Sequence, residues 1–437
     1  MTASLLPTAV GFLMLPVYTR YLTPTEYGLI ALVLSLQSFL PLIMTLQVQN
    51  SIMRFYFDYN HDDSELRIFI STILFVTALL SSSITALLIY NLSDIVSFVF
   101  PKTIIYEEIF LLGVISSFIG VFSSVFKNLI RVQQKAKLFM KVSLSLFVLS
   151  LIVNVLEVIV YERGAYGVIE ASLITVVLTS IVYCFLVKEF FIFKVNLTLI
   201  WNPLKFSLPL IPHSLSGLIF LYSDRIILEK YVTLSAIGLY MLSDKIAMVF
   251  KMIVTEFNNA FSPYFNQLSI VSKEKAVEET QRVSLVFIYI ISIILSILSL
   301  FSVELVYLLF DSRYYNSWYI IPILSLAYVY QSQYMFIVSG VFYEKKTHII
   351  MYATISAGFL NILLNLYYIP LYGIMAAAYT TVISFVILSI ASEVISKRIY
   401  YTGILNKKLM TINIYLIMII ILSIKINIKF YEFGVLQ

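Results

Sequence analysis

The chain has 437 residues, 60% of them hydrophobic and 12% charged, with a mean hydropathy of +0.95 and a formal net charge of +5. So much apolar surface exceeds what soluble domains bury, which makes this a polytopic membrane protein. The small positive balance is no nucleic-acid footprint, because topology accounts for it, and the single Cys184 excludes an internal disulfide.

About 20 apolar residues in a helix cross a bilayer core of about 30 Å. On that measure twelve spans are predicted, near 2–19, 28–50, 68–92, 104–126, 138–160, 165–187, 206–229, 237–260, 284–310, 318–342, 349–371 and 373–396. The first run has no basic segment before it and no clear small-residue cleavage site after it, so it reads as a span and not as a secretory signal. The second apolar window continues to residue 59, longer than one crossing needs, and Arg54 to Asp58 are expected to project into the cytoplasmic interface. A shorter stretch from Leu409 to Ile424, followed by Lys425 and Lys429, is a candidate thirteenth span.

Lysine and arginine are unevenly distributed over alternate connections. One set holds nineteen, including Lys127, Arg131, Lys135, Lys137 and Lys141; the other holds eight. The richer set is expected to face the cytoplasm, and the N-terminus with it.

RYLTPTEYGL (20–29) returns as KYVTLSAIGL (230–239), 210 positions later. At the same offset Asp94-Ile95-Val96 meets Glu304-Leu305-Val306 and Phe100 meets Phe310; Asn154 of span five has a counterpart in Asn365 of span eleven. Tyr166-Gly167-Val168 is echoed by Tyr372-Gly373-Ile374 at an offset of 206. Such ordered matches predict an all-α protein of two six-helix bundles. The expected division is an N-terminal lobe over 1–187, a cytoplasmic interfacial linker over 188–205, a C-terminal lobe over 206–400 and a tail over 401–437. Because six is even, both halves enter the membrane from the same side, and their pseudo-two-fold lies along the membrane normal. Lobes that rock against each other can expose a central cavity to either face in turn, which suits a transporter and offers an enzyme nothing obvious.

Charged residues inside spans are costly and point to partners or wet cavities. At 1.5 Å per residue, Asp244 and Lys245 lie about 10–12 Å and Lys251 about 21 Å from the outer start of span eight. Asp244 and Lys251 share a face, Lys245 lies about 100° round the helix, and Glu256 follows further in. Span seven ends in Tyr222-Ser223-Asp224-Arg225, with Glu229 four residues after Arg225 as a helical pairing candidate. Arg20 closes span one and Arg54 stands at the inner end of span two. Plainer roles exist for all of them: Asp244 neutralised by a basic neighbour, and Arg20 or Arg54 as head-group anchors. Pro7 and Pro16 in span one, and Pro209 and Pro212 in span seven, are expected helix breaks, tolerated where the freed backbone is covered or lines a cavity.

The opening LPTAVGFLMLPVYTRYLTPTEYGLIALVLSLQSFL, followed by Gln49 to Tyr56, resembles the start of the Wzx-type polysaccharide repeat-unit flippases of O-antigen and capsule synthesis. FSLPLIPHSLSGLIFLYSDRIILEKYVTLSAIGLYMLSDKIA, with Ser223 to Arg225 inside it, is similar to the start of that family's second lobe. The resemblance covers roughly residues 1–400 and rests on order and spacing, since no short signature is unique; it departs at the ends, where the N-terminus is short and the family's common fourteenth span is not found. It implies the V-shaped fold shared with multidrug exporters and lipid II flippases, and a place in the bacterial cytoplasmic (inner) membrane. The implied cargo is a polyprenyl-diphosphate-linked oligosaccharide, handled among membrane lipids, with a polysaccharide polymerase and a chain-length regulator as partners and H+ or Na+ as coupling ion. Arg20, Arg54, Arg225, Lys245 and Lys251 would then serve as cavity cations for the diphosphate. Asp224, Asp244 and Glu256 would orient them or couple the ion.

Catalytic readings find little support. His61 and His348 lie in connections and His213 stands alone, so no metal cluster is expected. No Walker loop, nucleophile elbow or dinucleotide fingerprint occurs, and no cofactor is expected. Two rivals stay open: a multidrug exporter of the same superfamily, which would prefer acidic cavity residues, and a membrane polysaccharide polymerase or ligase, which would carry a large external loop.

Overall fold

In a computed structural model, residues 6–59 and 62–432 are described, and all regular structure among them is helical. That is what lipid demands of a chain this apolar, since a helix satisfies its own backbone groups. The chain divides into two compact units, Met1–Leu234 and Ser235–Gln437.

The first unit is built from α1 (Leu6–Leu13), α2 (Leu15–Tyr21), α3 (Pro24–Thr45), α4 (Val48–Tyr59), α5 (Asp63–Tyr90), α6 (Leu92–Val99), α7 (Glu107–Val132), α8 (Ala136–Val155), α9 (Gly164–Val187), α10 (Trp201–Ser207) and α11 (Leu210–Tyr231). Beginning at the boundary, α12 (Leu234–Val271) leads into the second unit, followed by α13 (Lys273–Leu300), α14 (Ser302–Leu309), α15 (Ile321–Tyr343), α16 (Thr347–Ser396) and α17 (Lys407–Glu432). Among the described residues nine helices are long and apolar enough to cross a membrane, and ten if α10 and α11, bent by 49°, count as one span. One of the nine, Ile349–Ser396, holds two of the predicted spans, separated at Gly373 (φ 59°, ψ −137°). Another, Lys407–Lys429, is the candidate thirteenth.

Two predicted spans do not qualify. Span one is split into α1 and α2, and its first residues lie outside the described part of the chain. Span eight is α12, a helix of 38 residues, about 57 Å at 1.5 Å per residue, whose middle is interrupted by Asp244, Lys245, Lys251 and Glu256. The over-long second window resolves differently: Leu46 (φ 49°) and Gln47 (φ 64°) end α3 and start α4, so Arg54 to Asp58 belong to a separate helix.

The internal repeat recurs as local geometry at two places in the chain. After α2, extended Leu22 (φ −105°, ψ 145°) leads through Thr23 into α3; after α11, extended Val232 (φ −115°, ψ 175°) leads through Thr233 into α12. Thr23 closes a capping box with Glu26, its hydroxyl accepting from the Glu26 N–H at 3.2 Å. Spans three and nine both stop before the predicted pairs Asp94/Glu304, which start short separate helices, α6 and α14. These end where the Phe100 N–H bonds Val96 O at 2.7 Å and the Phe310 N–H bonds Val306 O at 3.0 Å. One detail of the repeat changes. The residue that shares Gly373's left-handed φ is Gly164 (φ 58°), not Gly167, which lies inside α9 against the carbonyl of Glu157. The positive φ falls on the glycine in the turn, and two glycines three apart look alike in a sequence.

The stretch predicted as linker (188–205) is attached to the first unit. Ser71 of α5 donates to Phe190 O at 3.3 Å and accepts from the Ile192 N–H at 3.1 Å, and Thr72 accepts from the Asn196 N–H at 3.0 Å. Next, α10 packs on α4 and α11 on α3. The boundary between compact units therefore falls at Leu234, later than the sequence-based lobes at 187 and 206.

Candidate functional site

The predicted residues fall into two groups, one in each unit. In the first, Arg225 and Asp224 occupy the C-terminal turns of α11 and are both 4% exposed. An isolated charge buried this deeply would cost several kcal/mol, and the pair answers it locally. The Arg225 guanidinium meets Asp224 Oδ1 at 3.1 Å, donates also to Leu221 O, and lies 5.4 Å from the centre of the Tyr222 ring. Asp224 Oδ1 also accepts the Arg225 backbone N–H at 2.8 Å.

Glu229, the partner expected for Arg225, has a different task. Fully buried, it accepts the backbone N–H of Lys102 through Oε1 at 2.6 Å, while Lys102 Nζ donates to Val232 O at 3.1 Å. These contacts tie the loop after α6 to the end of α11. Nothing in the local sequence signals a bond across 127 residues, and sequence reasoning missed it.

Arg20 is exposed in the last turn of α2. Arg54 forms an exposed pair with Asp58 at 3.0 Å and lies 5.5 Å from the Phe55 ring centre. An exposed pair of this kind contributes about 0.3–0.5 kcal/mol, so Arg54 keeps its charge available. Pro16 stands at the start of α2; lacking an N–H, it cannot bond Phe12 O, and the helix is interrupted at Met14. Pro7 lies in the first turn of α1, and what precedes Leu6 is outside the described residues. Pro209 sits at the 49° bend between α10 and α11, and Pro212 in the first turn of α11.

In the second unit, α12 carries Asp244, Lys245, Lys251 and Glu256 on one unbroken helix. Asp244 is 6% exposed and accepts the Tyr328 hydroxyl of α15 at 3.1 Å. Its neighbour Ser243 donates to Ser317 O at 3.0 Å, so that turn of α12 is fixed from two sides. Lys245, Lys251 and Glu256 are partly exposed. A carboxylate held by a tyrosine, the adjacent Lys245, Lys251 two turns on and Glu256 beyond it place two carboxylates and two ammonium groups along one membrane-length helix.

The repeated asparagines prove to be interhelical contacts. Asn154 accepts the Tyr18 hydroxyl at 2.6 Å, joining α8 to α2. Asn365 donates to Asn361 at 3.1 Å and accepts from Thr380, and Asn361 donates to Ser384 at 3.1 Å, so the two halves of α16 are held by a chain of amides and hydroxyls. No group of three His, Cys, Asp or Glu side chains among the described residues is placed to hold a metal.

A family model described as "Polysaccharide biosynthesis protein" matches residues 1–269. A protein of the Lsg locus of Haemophilus influenzae is 21% identical over 352 residues, covering 78% of this chain and 82% of the relative. Among solved structures, the lipid II flippase MurJ in an inward closed conformation aligns over 100% of this chain and 99% of its own, with a TM-score of 0.74 at 14% identity. An inward-facing multidrug resistance MATE family transporter of the MOP superfamily aligns over 91% and 94%, with a TM-score of 0.70 at 14% identity. A MOP superfamily transporter from Pyrococcus furiosus aligns over 91% and 92%, with a TM-score of 0.60 at 14% identity. At these identities the structural likeness shows the fold, which is that of the MurJ and MATE transporters. With more than half its length matched by the family model, the chain belongs to the polysaccharide biosynthesis protein family.

Proposed function

We propose that the protein is a flippase that moves polyprenyl-diphosphate-linked oligosaccharide repeat units from the cytoplasmic to the outer face of the bacterial inner membrane, by alternating access, for O-antigen, capsule or exopolysaccharide synthesis. The observation that carries this reading is the joint one: a polysaccharide-biosynthesis family match on a chain whose whole length aligns with the structure of a lipid II flippase. The cargo's diphosphate asks for cations inside the membrane. In α12, Lys245 and Lys251 supply two such cations, with Asp244 and Glu256 as carboxylates on the same helix. Arg20, Arg54 and Arg225 are the further cations of this reading, and Asp224, Asp244 and Glu256 its orienting or ion-coupling carboxylates. An N-terminus in the cytoplasm, an H+ or Na+ gradient as energy source, and a polymerase with its chain-length regulator as partners complete it.

The test is deletion of the gene in its parent bacterium, with the surface glycan profiled and the sidedness of the lipid-linked oligosaccharide measured. Single repeat units accumulating on the cytoplasmic face, with loss of surface polymer, support the flippase. Units that reach the outer face but stay unpolymerised would assign the protein to a later, enzymatic step. Intact surface polymer together with new sensitivity to cationic drugs would favour the multidrug exporter.

A further inference from the structure

A cavity of about 300 Å³ lies inside the first unit, walled by α1, α7, α8 and α9. Its polar wall comes from Ser123, Ser124 and Lys127 of α7, Ser143 and Ser150 of α8, and Thr175, Thr179 and Tyr183 of α9; Ser123 is hydrogen-bonded to Ser180 at 2.5 Å and Ser124 donates to Val121 O at 2.7 Å. Lys127 is the one charged residue of the lining, and no carboxylate lies within ion-pairing distance of it among the described residues. Three of the α8 and α9 hydroxyls are under-used. Ser143 and Tyr183 are 3.5 Å apart, a weak contact, and Thr175 Oγ1 is buried with no protein partner. An ammonium in a hydroxyl-lined, acid-free cavity is arranged for an anion that also presents hydroxyl groups. A lone lysine so near a helix end could merely extend along the helix toward the head-group layer, but such a lysine has no need of a cavity with an unpartnered threonine hydroxyl.

We propose that this cavity is an anion-binding subsite for a phosphate-bearing polyhydroxy head group, with Lys127 meeting the phosphate and the α8 and α9 hydroxyls meeting the sugar or polyol. Its volume is at the lower end for small-molecule pockets, enough for one sugar phosphate and too small for a whole repeat unit. The ligand is therefore the diphosphate-proximal sugar of the lipid-linked cargo or the head group of an anionic phospholipid; its assignment to the cargo rests on the flippase reading. The cavity involves none of the cations predicted from the sequence, where Lys127 counted only toward orientation.

The full chain in phosphatidylcholine nanodiscs would be titrated with radiolabelled farnesyl-diphosphate-N-acetylglucosamine, with dihexanoyl phosphatidylglycerol as competitor. Lys127→Gln is expected to weaken probe binding about tenfold, equivalent to about 1.4 kcal/mol. Lys127→Arg is expected to keep it within about threefold because the charge persists. Thr179→Val, nearly isosteric, is expected to weaken binding without changing the melting midpoint. Displacement by phosphatidylglycerol with the same Lys127 dependence would support the subsite and name the phospholipid as its occupant; failure to displace names the cargo. Equal affinity of wild type, Lys127→Gln and Thr179→Val overturns the proposal, as does a wild type that binds neither anion saturably. These binding outcomes do not depend on the deletion phenotype, which alone tests the flippase reading.

Discussion

Replacing Glu229 tests what holds the loop after α6 to the end of α11. The carboxylate is fully buried, with Oε1 2.6 Å from the Lys102 N–H and Oε2 buried without a hydrogen-bond partner. Two opposed effects can be separated by the choice of substitution. Glu229→Ala deletes the acceptor and leaves a buried backbone N–H unsatisfied, at a cost of about 1–3 kcal/mol, to which the loss of the packed Cγ methylene adds about 0.8 kcal/mol. Glu229→Gln keeps a carbonyl oxygen for the same N–H and removes a buried charge whose second oxygen has no partner, so the hydrogen bond weakens while desolvation is relieved. The expected order of thermal stability is Gln close to wild type, with Ala clearly below both. The assay is the melting midpoint of detergent-purified full-length protein by intrinsic fluorescence, read as a rank order because a two-unit chain need not unfold in one step. If Ala melts with wild type, the Lys102 contact carries no stability and the reasoning fails. If Gln falls as far as Ala, the charge itself is required and the acceptor argument is wrong.

Gly164→Ala should destabilise by about 1–2 kcal/mol from its positive φ alone, and by more because a Cβ there would collide with the Glu26 carboxylate; a melting shift no larger than that of an exposed alanine substitution would contradict the turn geometry. Arg54→Ala should leave the melting midpoint within error, since its exposed pair with Asp58 contributes about 0.3–0.5 kcal/mol; a loss of glycan transport in that variant would therefore report function and not folding. Gln333→Leu should cost about 1 kcal/mol by breaking the two-way amide pair with Asn413, at 2.7 Å and 3.3 Å, that joins α17 to α15. Adding Asn413→Leu should recover part of that loss, because an unpartnered amide in lipid is worse than none; a double variant that melts below the single one would refute the pairing.

The membrane class, most of the spans and the repeated turns could be read from the chain alone, because each depends on local composition. A window of about 20 apolar residues suffices for a crossing. The turns through Thr23 and Thr233, and the helices that begin at Leu92 and Ser302, recur because equal short sequences make equal turns. Tertiary structure decided what depends on distant partners. That Glu229 serves Lys102 and not Arg225, that Ser71 and Thr72 hold the predicted linker, and that Lys127 opens onto a hydroxyl-lined cavity all involve residues brought together from separate helices. Hydropathy reports how a side chain partitions between water and lipid, and says nothing of which neighbour it meets once inside. Buried polar groups, whose cost depends wholly on that neighbour, are therefore the features that had to wait for the fold.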